Sequence, residues 1–366
     1  MAALPPAETI VQSVRESCAA CTARSSITID DAAIERFLLG IAEADWKPSD
    51  HGVRLPLRFD SVDDELNVLA TLALLNFLSG YRTALHRLTG RGAYSTILSL
   101  VLSAYLSDSS PSLLSAAGMA AATVPQLADL ARVRTHVEKD HPTLGSAVRV
   151  GEKDEEAFEV LELLVGVLRE TGAVLQQEGA ASLGVWVRGA LERAEGQSGA
   201  FVRELAAIFS AFRDVHEVDG QTVYLLKKAL WLTTVISLRF SAESGLPFKV
   251  PAVAELPVFA DNVLPTLLIH YDILSLSSSW DPALAGLLLA SPAALSRDSA
   301  TRLRAAAVTA CAALVSRAHA LAASDPSRSW MAGWTEQQLD GWLWELGKRE
   351  DLRAVGRVAE RGTVFY

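Results

Sequence analysis

Apolar residues recur every three or four positions along most of this chain, a spacing that places them on one face of an α-helix. Residues 34–41, 158–168 and 205–212 are clear examples. Alanine and leucine are abundant, whereas the alternation of apolar and polar residues that is typical of strands is scarce. The sequence therefore predicts an all-α fold. A few short strands are expected at residues 26–29, 53–55, 222–224 and 363–366.

The chain carries no obvious boundary between domains. Cap residues predict helix starts at Asp30, Thr123 and Thr335. With 366 residues and 50% hydrophobic content, the chain can bury one large core or form two tightly fused lobes. No long linker and no internal repeat is apparent, so we predict a single helical domain spanning residues 1–366. The helical pattern is interrupted near residues 47–61, 140–154, 216–221 and 322–330.

The net charge of the chain is −10, which argues against an extended nucleic-acid interface. Neutralising a phosphate backbone requires a clustered surplus of lysine and arginine. A small anionic ligand in a local basic pocket is still allowed. The sequence does not define an oligomeric state.

Cysteine usage and hydropathy predict the compartment. Cys18, Cys21 and Cys311 provide neither an even disulfide set nor four zinc ligands, so we expect a reducing cytosol and no metal site. The first residues lack the basic and apolar regions of a secretory leader, and the apolar, charge-free run from Leu66 to Tyr81 is short for a membrane span. We therefore expect a cytoplasmic protein without a membrane partner.

Asp261 lies inside an apolar segment, residues 256–265, that otherwise has the composition of a core. A buried carboxylate without a partner is costly, so this one needs a counter-charge or a chemical function. Lys227 and Lys228 lie in a similarly apolar helical segment, which predicts that one of them points inward. Asp261 or a bound phosphate would be a suitable anionic partner.

Three further sets of residues each admit two interpretations. Arg213 and Asp214 form either a capping ion pair or part of a ligand site. Trp344 is either a core residue or a stacking surface for a flat base. Gly90 to Gly92 precede a helical run, as in an anion site or in a simple corner between two helices.

Taken in order, these segments resemble the queuosine salvage protein family, whose members hydrolyse queuosine 5'-phosphate and release the base queuine. No single segment is specific, but their order along the chain is. The matching segments are residues 14–17, 29–30, 75–77, 92–95, 122–127, 209–214, 224–229, 259–265, 343–345 and 365–366.

The resemblance implies a helical fold similar to that of base-excision DNA glycosylases, with no metal and no organic cofactor. It implies that Asp261 is the catalytic acid and that Lys227 is a cation on the ligand side. A carboxylate near the anomeric carbon can stabilise the positive charge that develops on the ribose, either as a nucleophile or by orienting water. The remaining residues implied to bind substrate are Asn76, Phe77, Arg213, Asp214, Phe259, Trp344 and Tyr366.

The chain departs from the family pattern at several positions. Ala73 replaces an acid, residues 235–237 replace an Asp-Thr-Trp sequence, and residues 302–304 replace a Glu-x-Arg sequence. These departures leave two alternatives beside a hydrolase. One is a non-catalytic relative that binds a nucleoside or a protein partner, and the other is a helical interaction protein in which Asp261 only caps a helix.

Overall fold

The computed structural model of the protein describes residues 3–49, 55, 57–141, 143–279, 282–285, 295–353 and 355–366. These residues are mainly helical, which confirms the predicted fold class. The helices are α1 (Ile10–Ser25), α2 (Asp31–Gly40), α3 (Val62–Leu75), α4 (Arg82–Thr89), α5 (Ala93–Tyr105), α6 (Ala116–Ala120), α7 (Val124–Ala131), α8 (Glu155–Gln177), α9 (Leu183–Ala194), α10 (Ser198–Ile208), α11 (Lys227–Phe240), α12 (Val263–His270), α13 (Pro282–Ala285), α14 (Arg297–Ser324), α15 (Glu336–Leu346) and α16 (Glu350–Arg353).

The described strands form three small antiparallel sheets of two strands each. The first pairs β1 with β6, the second pairs β2 with β3, and the third pairs β4 with β5. The strands are β1 (Thr28–Ile29), β2 (His136–His141), β3 (Gly145–Lys153), β4 (Val215–Val218), β5 (Gln221–Tyr224) and β6 (Leu274–Ser275).

Two of the four predicted strands are confirmed, as β1 and β5. The prediction of a strand at residues 363–366 is wrong, although Thr363 and Tyr366 are buried. β-Branched and aromatic side chains favour burial, and here they are buried without pairing to a neighbouring strand. In the predicted strand at residues 53–55, residues 53 and 54 lie outside the described residues. The β2–β3 hairpin overlaps residues 140–154, for which only a break in the helical pattern was predicted.

All three predicted cap residues begin a helix. Asp30 accepts a hydrogen bond from the Ala33 amide at the start of α2, and Thr123 caps α7. Thr335 forms a reciprocal capping box with Gln338 at the start of α15. These bonds satisfy amide groups that have no partner within the helix, which is why the local sequence alone fixes the helix starts.

The chain divides into two compact units. The first unit contains Met1–Arg58, Gly189–Glu360 and Phe365, and the second contains Phe59–Arg188, Arg361–Val364 and Tyr366. Whether the chain folds as the single domain predicted from sequence stays a prediction.

The first unit is built around α14, which packs against α1, α2, α12 and α15. Buried alanines, among them Ala305, Ala306 and Ala307, allow these neighbouring helices to approach closely. By length and composition, α14 is the one described helix that could cross a membrane by itself, and half of its apolar window is buried inside the protein. Its contacts with α1, α2, α12 and α15 make α14 a core helix of the first unit.

The core of the second unit includes α3, in which nine residues between Leu66 and Leu75 are buried. Helix α8 packs against α6 so closely that a side chain at Gly172 is excluded, because a Cβ atom there would lie 2.2 Å from the amide nitrogen of Ala120. Glycine at this position therefore determines how the two helices meet.

Candidate active site

Helix α15 holds the segment that leads to Asp261. The amide of Val258 donates to a carboxylate oxygen of Glu336 at 3.2 Å, and the amide of Phe259 donates to Oδ2 of Asp340 at 3.0 Å. Glu336 and Asp340 are four residues apart and therefore lie on the same face of the helix. Two backbone amides just before Asp261 are thus fixed by one helical face.

Arg304 on α14 holds the same segment from another direction. Its Nε atom donates to the carbonyl oxygen of Ala260 at 2.8 Å. Its two terminal nitrogens donate to Oδ1 and Oδ2 of Asp214 at 3.1 and 2.6 Å. Arg304 is 2% exposed and Asp214 is fully buried, so this two-pronged ion pair is shielded from water.

Asp214 accepts two more hydrogen bonds in the same buried cluster. His216 Nε2 lies 2.8 Å from Oδ1, and the backbone amide of Lys227 donates to Oδ2 at 3.3 Å. Burial alone would raise the pKa of the Asp214 carboxyl, but the charge of Arg304 and the bonds from His216 and Arg304 hold that pKa below its ordinary value. Asp214 is therefore an ionised carboxylate.

Asp261 is partly buried and follows the Phe259–Ala260 backbone that these contacts hold. Its Oδ1 atom accepts a hydrogen bond from the amide of Val263 at 2.6 Å, at the start of α12. This is the bond that a purely structural role for Asp261 requires. The electrostatic surroundings of the same carboxylate go beyond what a helix cap needs.

Lys227 and Lys228 are both buried, whereas the sequence predicted that only one points inward. Burial lowers the pKa of the Lys227 ammonium to about 8, and the negative charge of Asp261 is the largest influence in the opposite direction. Burial and the charge of Lys227 lower the pKa of Lys228 well below its usual value, and its Nζ lies 5.7 Å from the centre of the Phe212 ring. Lys227 is thus the lysine associated with Asp261.

Asp340 is a second carboxyl group, and the charges of Asp261 and Lys227 both act on it. Burial raises its pKa well above the ordinary value, and the charge of Asp261 raises it further. The first unit therefore groups an acid that favours its protonated form, Asp340, with Asp261 and with the Lys227 ammonium.

The other predicted site residues of the first unit are Phe259, Trp344 and Arg213. Phe259 is buried, and its backbone is one of the groups held by Asp340. Trp344 is partly buried and lies one turn after Asp340 on the same face of α15, with the Lys348 ammonium 3.3 Å from its ring centre. The side chain of Arg213 is partly exposed, and its backbone amide donates to the carbonyl of Ser210.

Three predicted site residues belong to the second unit. Asn76 directly follows α3 as its C-cap, Phe77 is buried directly after it, and the carbonyl of Tyr366 accepts a hydrogen bond from the amide of Ser79. Their role in substrate binding stays a prediction.

Sequence reasoning missed four residues that shape the cluster, namely Arg304, Asp340, Glu336 and His216. A detectable signal existed for the first three: each is a charged residue in a helical segment that is buried around most of its circumference. Arg304 lies in α14, where every residue from Ser299 to Val308 is buried.

A cavity of about 620 Å³ in the first unit lies elsewhere. Its walls include Phe37, Tyr271 and Trp342, but none of the cluster around Asp261. Trp342 and Leu346 lie on the face of α15 opposite to Asp340, because successive helix residues are about 100° apart. This cavity therefore does not mark the place of Asp261.

The described residues contain no group of three or more His, Cys, Asp and Glu side chains placed to hold a metal ion. Cys18, Cys21 and Cys311 are buried free thiols. Burial raises the pKa of each of them, which suits packing rather than nucleophilic chemistry.

Fold and site together define a mainly helical protein with a carboxylate and a lysine in a buried, charged cluster. The family described as queuosine salvage protein matches residues 126–366 of this chain, which is more than half of its length. The chain therefore belongs to the queuosine salvage protein family. The match includes Asp214, Lys227, Asp261, Arg304 and Asp340 and does not extend to Asn76 and Phe77. No curated protein matches the chain.

Proposed function

We propose that this protein is an N-glycosidase that hydrolyses queuosine 5'-phosphate, or a related modified nucleotide, and releases queuine for the modification of tRNA. Membership of the family supports a role in queuosine salvage. The observation that carries the finer proposal is the partly buried Asp261 carboxylate. The backbone just before it is held by Asp340 and Arg304, and its negative charge is the largest influence that raises the pKa of the buried Lys227 ammonium.

The chemistry of the bond explains why such a carboxylate is useful. As the N-glycosidic bond breaks, positive charge develops on the ribose ring, and a carboxylate near the anomeric carbon stabilises that charge. Asp261 has one oxygen bonded to the Val263 amide, which fixes the orientation of the carboxylate. Both remaining roles, nucleophile and water-orienting base, are consistent with this geometry.

The leaving group limits how the reaction can be assisted. Queuine is a 7-deazaguanine, and it lacks the N7 lone pair that accepts a proton when an ordinary purine departs. Assistance must therefore come from hydrogen bonds to the edge of the pyrimidine ring and from stacking, for which Phe259 and Trp344 are the candidates. In this proposal Lys227 holds the 5'-phosphate, together with Arg213, and Lys227 stabilises the charge of Asp261 as well.

The proposal is tested by incubating the purified protein with queuosine 5'-phosphate and measuring free queuine by mass spectrometry. Asp261→Asn keeps the size of the side chain but removes its charge, so we expect queuine release to fall by at least about 10³-fold while the protein stays folded. Asp272→Asn is the matched control, because Asp272 is exposed beyond the other end of α12. Release by Asp261→Asn at the rate of the wild type would remove Asp261 from the mechanism.

A second candidate function is binding without catalysis. The hydrogen bond from Val263 to Asp261 favours it, because this bond gives the carboxylate a structural role without any chemistry. A non-catalytic relative would form a tight complex with queuosine 5'-phosphate that never yields queuine. Calorimetry combined with the release assay separates the two functions.

A further inference from the structure

Resting on the proposed function, we propose that Asp214 and Arg304 are positioning residues for the reaction, and that their buried ion pair sets the place of Asp261 relative to Lys227. The resemblance makes Asp214 a substrate ligand, whereas here Asp214 acts by holding other groups in place. Arg304, to which the resemblance assigns no role, acts in the same way.

The ion pair contacts both sides of the cluster. Through Nε, Arg304 holds the carbonyl of Ala260, the residue directly before Asp261. Through Oδ2, Asp214 holds the amide of Lys227, the first residue of α11. A continuous chain of hydrogen bonds therefore runs from the backbone at Asp261, through Arg304 and Asp214, to the backbone at Lys227.

Asp214 has no capacity left for a substrate. An ionised carboxylate offers about four acceptor positions. Arg304 fills two of them, His216 a third and the Lys227 amide the fourth. The residue is also fully buried. Asp214 can therefore affect the reaction only through the groups that it holds.

A second ion pair on the same helix provides a matched control. Arg302 is also buried, and it donates to both carboxylate oxygens of Asp219 at 2.9 Å. Asp219 lies at the turn between β4 and β5, whereas Asp214 directly precedes β4. The two arginines therefore share a helix, a degree of burial and an ion pair with the same hairpin region, but Arg304 is the one that donates to Ala260.

The kinetic test compares Arg304→Lys and Asp214→Asn with Arg302→Lys, all in the full-length protein. A carboxylate displaced by about an ångström costs on the order of 10²-fold in rate, so we expect such a fall in kcat for the first two variants. KM should stay within about threefold of the wild type, because neither residue contacts substrate. Guanidinium added to Arg304→Ala should restore part of kcat, whereas Arg302→Lys should keep the kcat of the wild type.

A kcat for folded Arg304→Lys and Asp214→Asn that equals that of Arg302→Lys would overturn the inference. So would a loss that appears in KM alone, because that result would make Asp214 or Arg304 a ligand. If the single variants do not fold, the double variant Asp214→Asn/Arg304→Gln removes both charges together and leaves no uncompensated buried ion. The same loss of kcat is expected of it, and a kcat equal to that of the wild type would contradict the inference.

Hydrogen exchange separates this inference from the proposed function. Arg304→Lys should accelerate amide exchange in residues 258–263, whereas Arg302→Lys should not. A wild-type protein that releases no queuine would refute the proposed function but would leave this exchange result as a test of the positioning. Equal exchange in the two variants would refute the positioning even if the enzyme is active.

Discussion

Lys227 carries a charge that changes near physiological pH. Burial lowers the pKa of its ammonium to about 8 from an ordinary value of 10.5, so the charge is present below about pH 8 and is lost as the pH rises through that value. We therefore expect kcat/KM for queuosine 5'-phosphate to fall above about pH 8, because Asp261 and the phosphate lose their cation together.

The substitution Lys227→Arg tests this assignment, since a guanidinium keeps its proton throughout the accessible pH range. An active Lys227→Arg variant should retain its kcat/KM to higher pH than the wild type. The assignment fails if the two proteins show the same alkaline fall, or if the wild-type profile is flat up to about pH 10.

The sequence predicted some of these residues and not others, for a physical reason. Asp261 and Lys227 are conspicuous because their immediate neighbours are apolar. Arg304 and Asp340 instead act on backbone groups 44 and 81 residues away. A helical segment of mainly small and apolar residues indicates that such a charge is buried, but it does not show which carbonyl or amide the charge contacts. The buried network could therefore not be predicted from the sequence. Asp261, the acid whose backbone the network holds, could be predicted.

Helix α15 contributes a carboxyl group whose protonation affects stability. Burial raises the pKa of Asp340 well above its ordinary value, so the folded protein retains a proton that the unfolded chain releases above about pH 4. Folding stability from this group is complete below that pH and is lost as the pH rises toward the folded pKa. The asparagine of Asp340→Asn does not titrate and still accepts from the Phe259 amide.

We therefore expect Asp340→Asn to gain stability relative to the wild type as the pH rises, by up to about 1.4 kcal/mol per pH unit between about pH 4 and the folded pKa. Urea unfolding of both proteins at several pH values measures this difference. A difference that does not depend on pH would show that Asp340 is ionised in the folded protein. Asp340→Leu, which leaves the Phe259 amide without its acceptor, should be less stable than Asp340→Asn by about 1–3 kcal/mol at every pH.

The β2–β3 hairpin is an element whose removal should cost little. Every residue of β3 is exposed, and so is every residue of β2 except the partly buried His141. We expect that replacing residues 137–152 by Asn-Gly, between the paired residues His136 and Lys153, changes the free energy of unfolding by no more than about 0.5 kcal/mol. Chemical denaturation measures the change, and a loss of several kcal/mol would show that the hairpin supports the fold.

Elements defined by local chemistry were predictable, and elements defined by pairing were not. The caps Asp30, Thr123 and Thr335 are visible in the sequence because each acts within three residues of itself. The β2–β3 hairpin was missed because its strands are exposed and rich in charged residues, so they lack the alternating apolar pattern. Strand propensity likewise gave a wrong prediction at residues 363–366, where side chains are buried but the backbone does not pair with another strand.

At the scale of the whole molecule, the helical fold and the family are established, and the reaction is proposed. The family match covers residues 126–366, which include both the Asp261 cluster and the ion pair that holds it. The departures from the family pattern at Ala73 and at residues 235–237 do not belong to the described contacts of that cluster. At residues 302–304 the chain keeps the arginine of the Glu-x-Arg sequence as Arg304, which belongs to the cluster, and has Arg302 in place of the glutamate. The arrangement around Asp261 is therefore compatible with an active enzyme.

The most direct test of hydrolysis is a product balance with queuosine 5'-phosphate in water enriched in oxygen-18. We expect the wild-type protein to release queuine and ribose 5-phosphate in equal amounts, with one labelled oxygen at the anomeric carbon of the sugar. Binding of the nucleotide without release of either product, or release of queuine without the labelled sugar, would contradict the account.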